Sequence, residues 1–326
     1  MNKKYILASF MCGMVLPLVF LAIAIGDQQQ PREQALGQET TVVTQSVQTT
    51  QSVREETLNV LTDGASVEQM PLQDYLTGVV LSEMPADFQT EALKAQAVVA
   101  RTYAMKRAEK GSKHETAAVC TDSACCQGYK APEQYIAEGG TQQSVEKAAQ
   151  AVRDTAGLVL TYGGELIDAT YFSCSGGSTE AAVAVWGADV PYLQAVDSPG
   201  EENAAHYTDQ FTFSAGEFAR KTGCGGTGDP RSWFGEIQYT DGGGVQTMDI
   251  CGKIYEGTEL RRLLGLRSTA FSVTVSNQTI TITTKGFGHR VGMSQYGAEA
   301  MAQSGSTFEE ILTYYYQDTT LQQLQS

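Results

Sequence analysis

The apolar positions of this chain change their period several times, and each change marks an element. The first run, Tyr5–Ile25, carries no charge and follows Lys3 and Lys4. A membrane-spanning helix needs about 20 such residues, and the two lysines would keep the N-terminus in the cytoplasm and the rest outside. The run predicts a single membrane anchor over residues 1–26. A cleaved signal peptide is the alternative, because Ala22-Ile23-Ala24 resembles a cleavage site, although the apolar core is long for one. Residues 27–55 are rich in Gln, Thr and Ser with few apolar positions, which predicts a flexible stalk.

Helical and strand periods follow. Leu72, Leu76, Val79 and Val80 suit a short helix over Pro71–Leu81. The strong helix formers Glu91 to Ala100 predict a second helix from Thr90 to Glu109, with Gly111 near its end. Ser144–Asp154 reads as a third helix. Leu158–Tyr162 and Leu166–Phe172 read as strands around Gly163-Gly164. A turn-rich subdomain is expected over 197–268, with Phe211–Phe213 and Glu236–Tyr239 as its strand candidates. Phe271–Val275 and Thr279–Thr283 alternate around Ser276-Asn277-Gln278, which predicts a hairpin. Helices over 293–303 and 307–316 close the chain. Helices interspersed with antiparallel strands place the body, 56–326, in the α+β class.

The 326 residues are 42% hydrophobic and 18% charged, so the body can bury a real core. A net charge of −15 argues against nucleic acid as a partner, since that surface needs a basic stripe. There is no H-E-x-x-H for a zincin protease and no G-x-S-x-G elbow for a serine hydrolase.

Candidate chemistry begins at Leu81-Ser82-Glu83-Met84-Pro85. The bland reading of Glu83 is a solvated carboxylate near the start of the next helix, favoured by its dipole. The apolar neighbourhood argues for a raised pKa and a general acid. Lys94 and Arg101 are seven apart, hence on one helix face, and are candidates to contact a polar substrate. Gly286–Ala298 is dense in glycine and carries His289, Ser294, Gln295 and Tyr296 into a helix. Thr170–Glu180 is a strand entering a small-residue turn with Ser173 and Ser175. Hydroxyls, amides and aromatic rings suit a sugar, and Trp186 and Tyr192 are further candidates to line a glycan cleft. The Tyr314–Tyr316 run could stack on sugars, although such a run more often closes a core.

SEMP followed by EALKAQAVVARTYA, then TYFSCSGGSTEAA, VWGADVPYL, LGLRSTAF and GFGHRVGMSQYGAEAMA, occur in an order that resembles the stage II sporulation protein D family over about residues 57–318. The resemblance implies a lytic transglycosylase that cuts peptidoglycan glycan strands stripped of stem peptides, acting in engulfment during sporulation. It implies that Glu83 is the catalytic acid and base, with no cofactor needed for catalysis. Lys94, Arg101, Ser173, Ser175, Tyr192, His289, Ser294, Gln295 and Tyr296 are the expected substrate-binding residues. Implied partners are sporulation protein P, an amidase/endopeptidase, and sporulation protein M, a membrane scaffold. The implied place is the cell membrane, with the ectodomain facing the septal intermembrane space. The same motifs occur in amidase enhancers, so a non-catalytic wall-binding role is the alternative.

Six of the seven cysteines follow the apolar run. His114, Cys120 and Cys126 are spaced six and six, with thiolate and imidazole as usual zinc ligands. The expected metal set is His114, Cys120 and Cys126, with water or Cys125 in the fourth position and a structural role. Disulfides such as Cys120–Cys126 or Cys125–Cys174 are the alternative in an exported domain. Cys224 and Cys251 are expected to pair with each other.

Overall fold

The computed structural model describes residues 56–64 and 66–324, so the predicted anchor and stalk lie outside the described residues. Among the described residues, no helix is long and apolar enough to cross a membrane. The described chain is α+β, with small sheets set among helices.

Two consecutive helices frame the main core: α1, Leu72–Glu83, and α2, Thr90–Lys110. Pro85 separates them. A residue before proline is pushed out of helical backbone, and Met84 is extended at φ −119° and ψ 138°. Glu83 is therefore the last residue of α1, where the helix dipole disfavours a negative charge; the bland reading had it at the favourable end of the next helix. The loop that follows is clamped. Lys147 donates to the carbonyls of Ala86 (3.1 Å) and Phe88 (2.5 Å), and Glu299 accepts the Gln89 N–H at 2.6 Å.

Helix α2 is buried nearly all round, because Ala92, Ala95, Ala97, Ala100 and Ala104 let neighbours approach closely. Helices Gln142–Asp154, Gln295–Gln303 and Phe308–Tyr315 pack against it. Gly78 sits mid-helix in α1, where glycine costs about 1 kcal/mol against alanine. A Cβ there would lie 2.2 Å from the Tyr129 ring. The missing side chain lets Tyr129 lie on α1 and stack on Tyr75, at 5.9 Å and 5° between planes.

Two sequence expectations change. The strand expected over Leu166–Phe172 is two short strands in different sheets. Glu165–Leu166 pairs with Leu158–Tyr162, while Tyr171–Phe172 pairs in parallel with Met293–Ser294. The chain leaves the first sheet at Asp168, whose carboxylate meets Lys106 at 2.6 Å and Arg107 at 3.5 Å. For the same reason the helix expected from 293 starts at Gln295. Its first two residues are strand, and the Ser294 hydroxyl caps the helix by accepting the Gly297 N–H at 3.2 Å.

A second core gathers Phe213, Phe218, Trp233, Met248, Tyr255 and Leu260. The stretch read as turn-rich carries the strands Thr208–Ser214, Phe234–Tyr239, Val245–Ile250 and Lys253–Glu256, and the helices Ala215–Thr222 and Gly257–Leu264. The predicted hairpin forms as Phe271–Ser276 and Thr279–Lys285, with Asn277 at φ 53° in its turn. Cys224 and Cys251 form a disulfide, as expected.

Arg290 joins the two cores. Its guanidinium is 2% exposed and donates to the carbonyls of Ser175 (2.7 Å), Ser178 (2.6 Å) and Gly242 (2.7 Å) and to Glu180 Oε1 at 3.1 Å. Glu180 in turn accepts from the Thr240 hydroxyl and the Gly244 N–H.

Candidate functional site

Three segments distant in sequence meet at Glu83. The end of α1, the strand Tyr171–Phe172 with Ser173, and the start of helix Gln295–Gln303 surround a cleft of about 390 Å³. Glu83, Pro85, Tyr135, Ser173, Gln295 and Tyr296 are among its walls. Glu83 is the one carboxylate among the described residues that line it.

The carboxyl of Glu83 is held, not merely exposed. Its Oε1 accepts the Gly128 N–H at 2.5 Å. A Cβ on Gly128 would sit 2.8 Å from that oxygen and 2.7 Å from Ser82 Oγ, so only glycine brings this N–H so near. Behind it runs a polar chain. The Tyr75 hydroxyl donates to Gln127 Oε1, and Gln127 Nε2 donates to the Tyr171 hydroxyl, each at 3.2 Å. Tyr171 therefore accepts from behind and has its own proton free for Glu83. Burial raises the Tyr171 pKa far above the ordinary value, so that proton stays on.

Burial also raises the Glu83 pKa above that of an ordinary glutamate. The Gly128 N–H, the Tyr171 hydroxyl and Gln295 pull it partly back. Gln295 is 5% exposed, and its Nε2 makes no full hydrogen bond, so a buried donor stands beside the carboxyl incompletely spent. Tyr171→Phe removes one of the groups that favour the charged carboxylate. For a glutamate acting as acid, we expect the alkaline limb of the pH–rate profile to move to higher pH and kcat to fall. A profile identical to wild type would show that the hydroxyl does not reach Glu83.

Of the residues predicted from sequence, Glu83, Ser173, Gln295 and Tyr296 share this cleft. Others do not reach it. Arg101 is 2% exposed, and its guanidinium donates to the carbonyls of Leu158 and Val152, both at 3.1 Å. Helical spacing put it on one face with Lys94, but that face is covered by helix Gln142–Asp154 and the strand after it. Burial lowers its pKa to about 10, leaving it charged at neutral pH. Arg101→Met is expected to cost about 1–3 kcal/mol, because buried carbonyls lose their donors. Thermal unfolding should record that loss while kcat below the transition stays near wild type.

Lys94 is spent on Glu91 at 2.9 Å and Asp154 at 3.7 Å. The Tyr192 hydroxyl accepts the Asp168 N–H at 3.0 Å, and the ring is buried. Ser175 is fully buried against Glu201, to which its N–H (2.6 Å) and hydroxyl (2.8 Å) donate. Ser294 is buried as the helix cap. His289 packs between Phe172 at 5.7 Å and Trp186 at 5.4 Å. Burial, then the Arg261 charge, hold its pKa near about 4, so its ring is neutral.

Tyr171, Gln127 and Gly128 escaped sequence reasoning. Tyr171 stood inside a quoted motif, but nothing local separates a tyrosine aimed at an acid from one in a core. Gln127 and Gly128 follow Cys126 directly, and only the fold brings them 45 residues back to Glu83.

The ligand atoms of His114, Cys120, Cys125 and Cys126 all lie within 4.8 Å of one another. His114 Nε2 is 3.7 Å from the Cys125 sulfur and 3.5 Å from that of Cys126, and the two sulfurs are 4.0 Å apart. Ligands of a tetrahedral zinc with Zn–S near 2.3 Å stand about 3.5–3.8 Å apart. The donor set fits such an ion, with Cys125 completing the predicted trio. Cys120, Cys125, Cys126 and Cys174 are all free thiols, so neither suggested disulfide forms. Cys120 is tied down by the pairing of its strand, Val119–Cys120, with Val60 and Leu61.

Comparison with known proteins leads to the family that the motifs resemble. The family model described as Stage II sporulation protein matches residues 62–162. The chain is 42% identical over 265 residues to Stage II sporulation protein D of Bacillus subtilis, covering 80% of this chain and 77% of that protein. Its likeness to the protein of the same name from Bacillus amyloliquefaciens is also 42%, over 270 residues, with 81% and 78% covered. It is 30% identical over 304 residues to an Amidase enhancer of Bacillus subtilis, covering 76% of this chain and 40% of that protein.

Proposed function

This chain belongs to the stage II sporulation protein D family, and on that premise we propose that it is a lytic transglycosylase. Its substrate is the glycan of peptidoglycan stripped of stem peptides, cut between N-acetylmuramic acid and N-acetylglucosamine to leave 1,6-anhydro ends. The observation that carries this reading is Glu83 alone: one half-buried carboxyl with a raised pKa in an open cleft that no second carboxylate lines among the described residues.

A hydrolytic glycosidase generally needs two carboxyl groups, one as acid and one as nucleophile or base. A lytic transglycosylase needs one, because the substrate supplies its own nucleophile. Protonated Glu83 gives its proton to the glycosidic oxygen, and the C1–O bond breaks as positive charge grows on the ring. The carboxylate so formed takes the proton of the C6 hydroxyl, and O6 closes on C1. Proton and acid are restored at the end. The raised pKa eases protonation of Glu83 for the first step, while Gly128 N–H and Tyr171 stabilise the carboxylate midway.

The proposal extends to the setting. A structural zinc on His114, Cys120, Cys125 and Cys126 would fix the loop that presents Gln127 and Gly128 to the acid. An anchor at the N-terminus would hold the body outside the cytoplasm, against the septal wall during engulfment. Sporulation protein P would strip the strands and sporulation protein M would hold the complex at the membrane.

The enhancer-named relative supports a second reading, in which the chain binds wall glycan and stimulates an amidase without cutting. Digestion of peptide-free glycan strands by the purified protein separates the two. Mass spectrometry should find 1,6-anhydromuramyl ends; binding with no new ends would leave the enhancer reading.

A further inference from the structure

Beside the cleft of Glu83 lies a second cavity of about 220 Å³, and Tyr296 belongs to the walls of both. The Phe88 ring stands edge-on to Tyr296 at 5.0 Å, so an aromatic divide separates two chambers of one groove. The polar lining of the second chamber is uniform in kind. It has three carboxyl side chains, Asp87, Glu201 and Glu299, and amide side chains including Asn203 and Gln303. Among the described residues that line it there is no Lys, Arg or His.

The acids are built in. Glu299 is 7% exposed and accepts from the Gln89 N–H at 2.6 Å and from Gln303 Nε2 at 2.7 Å. Glu201 is 1% exposed and takes the N–H and hydroxyl of Ser175 and the hydroxyl of Ser198. Neither is free to swing away and make room for an anion.

We infer that this second chamber is a sugar subsite that accepts N-acetylglucosamine and refuses N-acetylmuramic acid. The inference rests on the glycan-cutting reading of the first chamber. The two sugars differ by the lactyl ether, which carries a carboxylate. A carboxylate placed here would face like charges in a partly desolvated space with no cation to offset them. An acetamido group and hydroxyls meet amides that both donate and accept, with the Tyr296 ring beside the sugar face.

The strand alternates strictly, so each muramic acid has N-acetylglucosamine on both sides. Refusal at the second chamber therefore sets the register, with muramic acid over Glu83 and its uncharged neighbour across Tyr296. One of the two kinds of linkage is then always presented to the acid. Specificity comes from a repulsive wall as much as from contacts made.

The test is binding of uncut sugar by the full-length Glu83→Gln protein, read by calorimetry. Chitotetraose carries no carboxylate; its O-carboxymethylated form carries one on its sugars. Chitotetraose is expected to bind at least about tenfold more tightly. Ala300→Trp, which puts a ring into the second chamber, should weaken chitotetraose about tenfold. Gln303→Lys, which adds a cation to the wall, should cut the discrimination to about threefold or less. Should the Ala300 variant fail to fold by circular dichroism, the lysine variant decides. Equal binding of the two sugars, or discrimination untouched by Gln303→Lys, overturns the subsite. The glycan-cutting reading fails separately, if wild type makes no anhydro ends.

Discussion

Glu83→Gln is expected to lower the release of 1,6-anhydro ends by about 10²–10⁴-fold and, in the same protein, to raise the melting temperature at neutral pH. Glutamine keeps the shape and can still meet the Gly128 N–H through its carbonyl, so folding is preserved while the transferable proton is lost. The stability gain follows from the direction of the pKa shift. Burial raises the folded-state pKa of Glu83 above the ordinary 4.5. The folded state then binds this proton more tightly than the unfolded chain does. Its stabilising contribution is complete below pH 4.5 and is lost as pH rises through the folded-state value. At neutral pH the unfolded wild-type chain gains by ionising Glu83 in water, a gain the folded state cannot match and the glutamine variant does not have. Melting curves should converge below pH 4.5 and separate above it, the variant being the more stable. A variant that keeps wild-type turnover would remove Glu83 from the chemistry. One that melts lower at pH 7 would contradict the raised pKa.

Removing the metal should give the largest loss of stability. The proposed zinc holds one histidine and three thiols within a stretch of thirteen positions, from 114 to 126, most of it irregular backbone. Free energy of metal binding is largely free energy of loop folding when no preformed site exists without the ion. The purified protein is expected to carry about one zinc per chain, and a strong chelator to lower its melting temperature by about 10 °C or more. Activity should fall as well, although none of the four metal-binding residues is among those that line the cleft. Gln127 and Gly128 come directly after Cys126, so a loosened loop withdraws the N–H on Glu83 and the support of Tyr171. Cys126→Ser should reproduce both losses, since serine is a poor zinc ligand. Full turnover in metal-free protein would separate the two sites.

Much of the frame was legible in the sequence because it rests on local rules. The α1–α2 break follows from Pro85, and the hairpin at 276–278 from strict alternation. Long-range consequences were not legible. Arg101 and Lys94 share a helical face, but which face α2 turns to solvent depends on elements some 50 residues later. Ser175 and Ser294 are hydroxyls in small-residue turns, a pattern that serves a buried cap as well as a sugar site. Of the second core's strands, Val245–Ile250 and Lys253–Glu256 were hidden because their polar residues resemble loops one by one. Their pairing supplies what local propensity does not.

The Arg290 cage carries a lesson for recombination among relatives. Four acceptors on two separate segments, 175–180 and 242, are satisfied by one side chain from a third, Arg290. The stretch that builds the second core is thus not a cassette that can be exchanged at its ends alone. A chimera that imports residues 208–285 must bring a Gly242 carbonyl into register with a guanidinium encoded outside the graft. Crossovers that keep Glu180, the 240–244 turn and Arg290 from one parent should fold. Those that divide them would leave a buried charge without its counterpart.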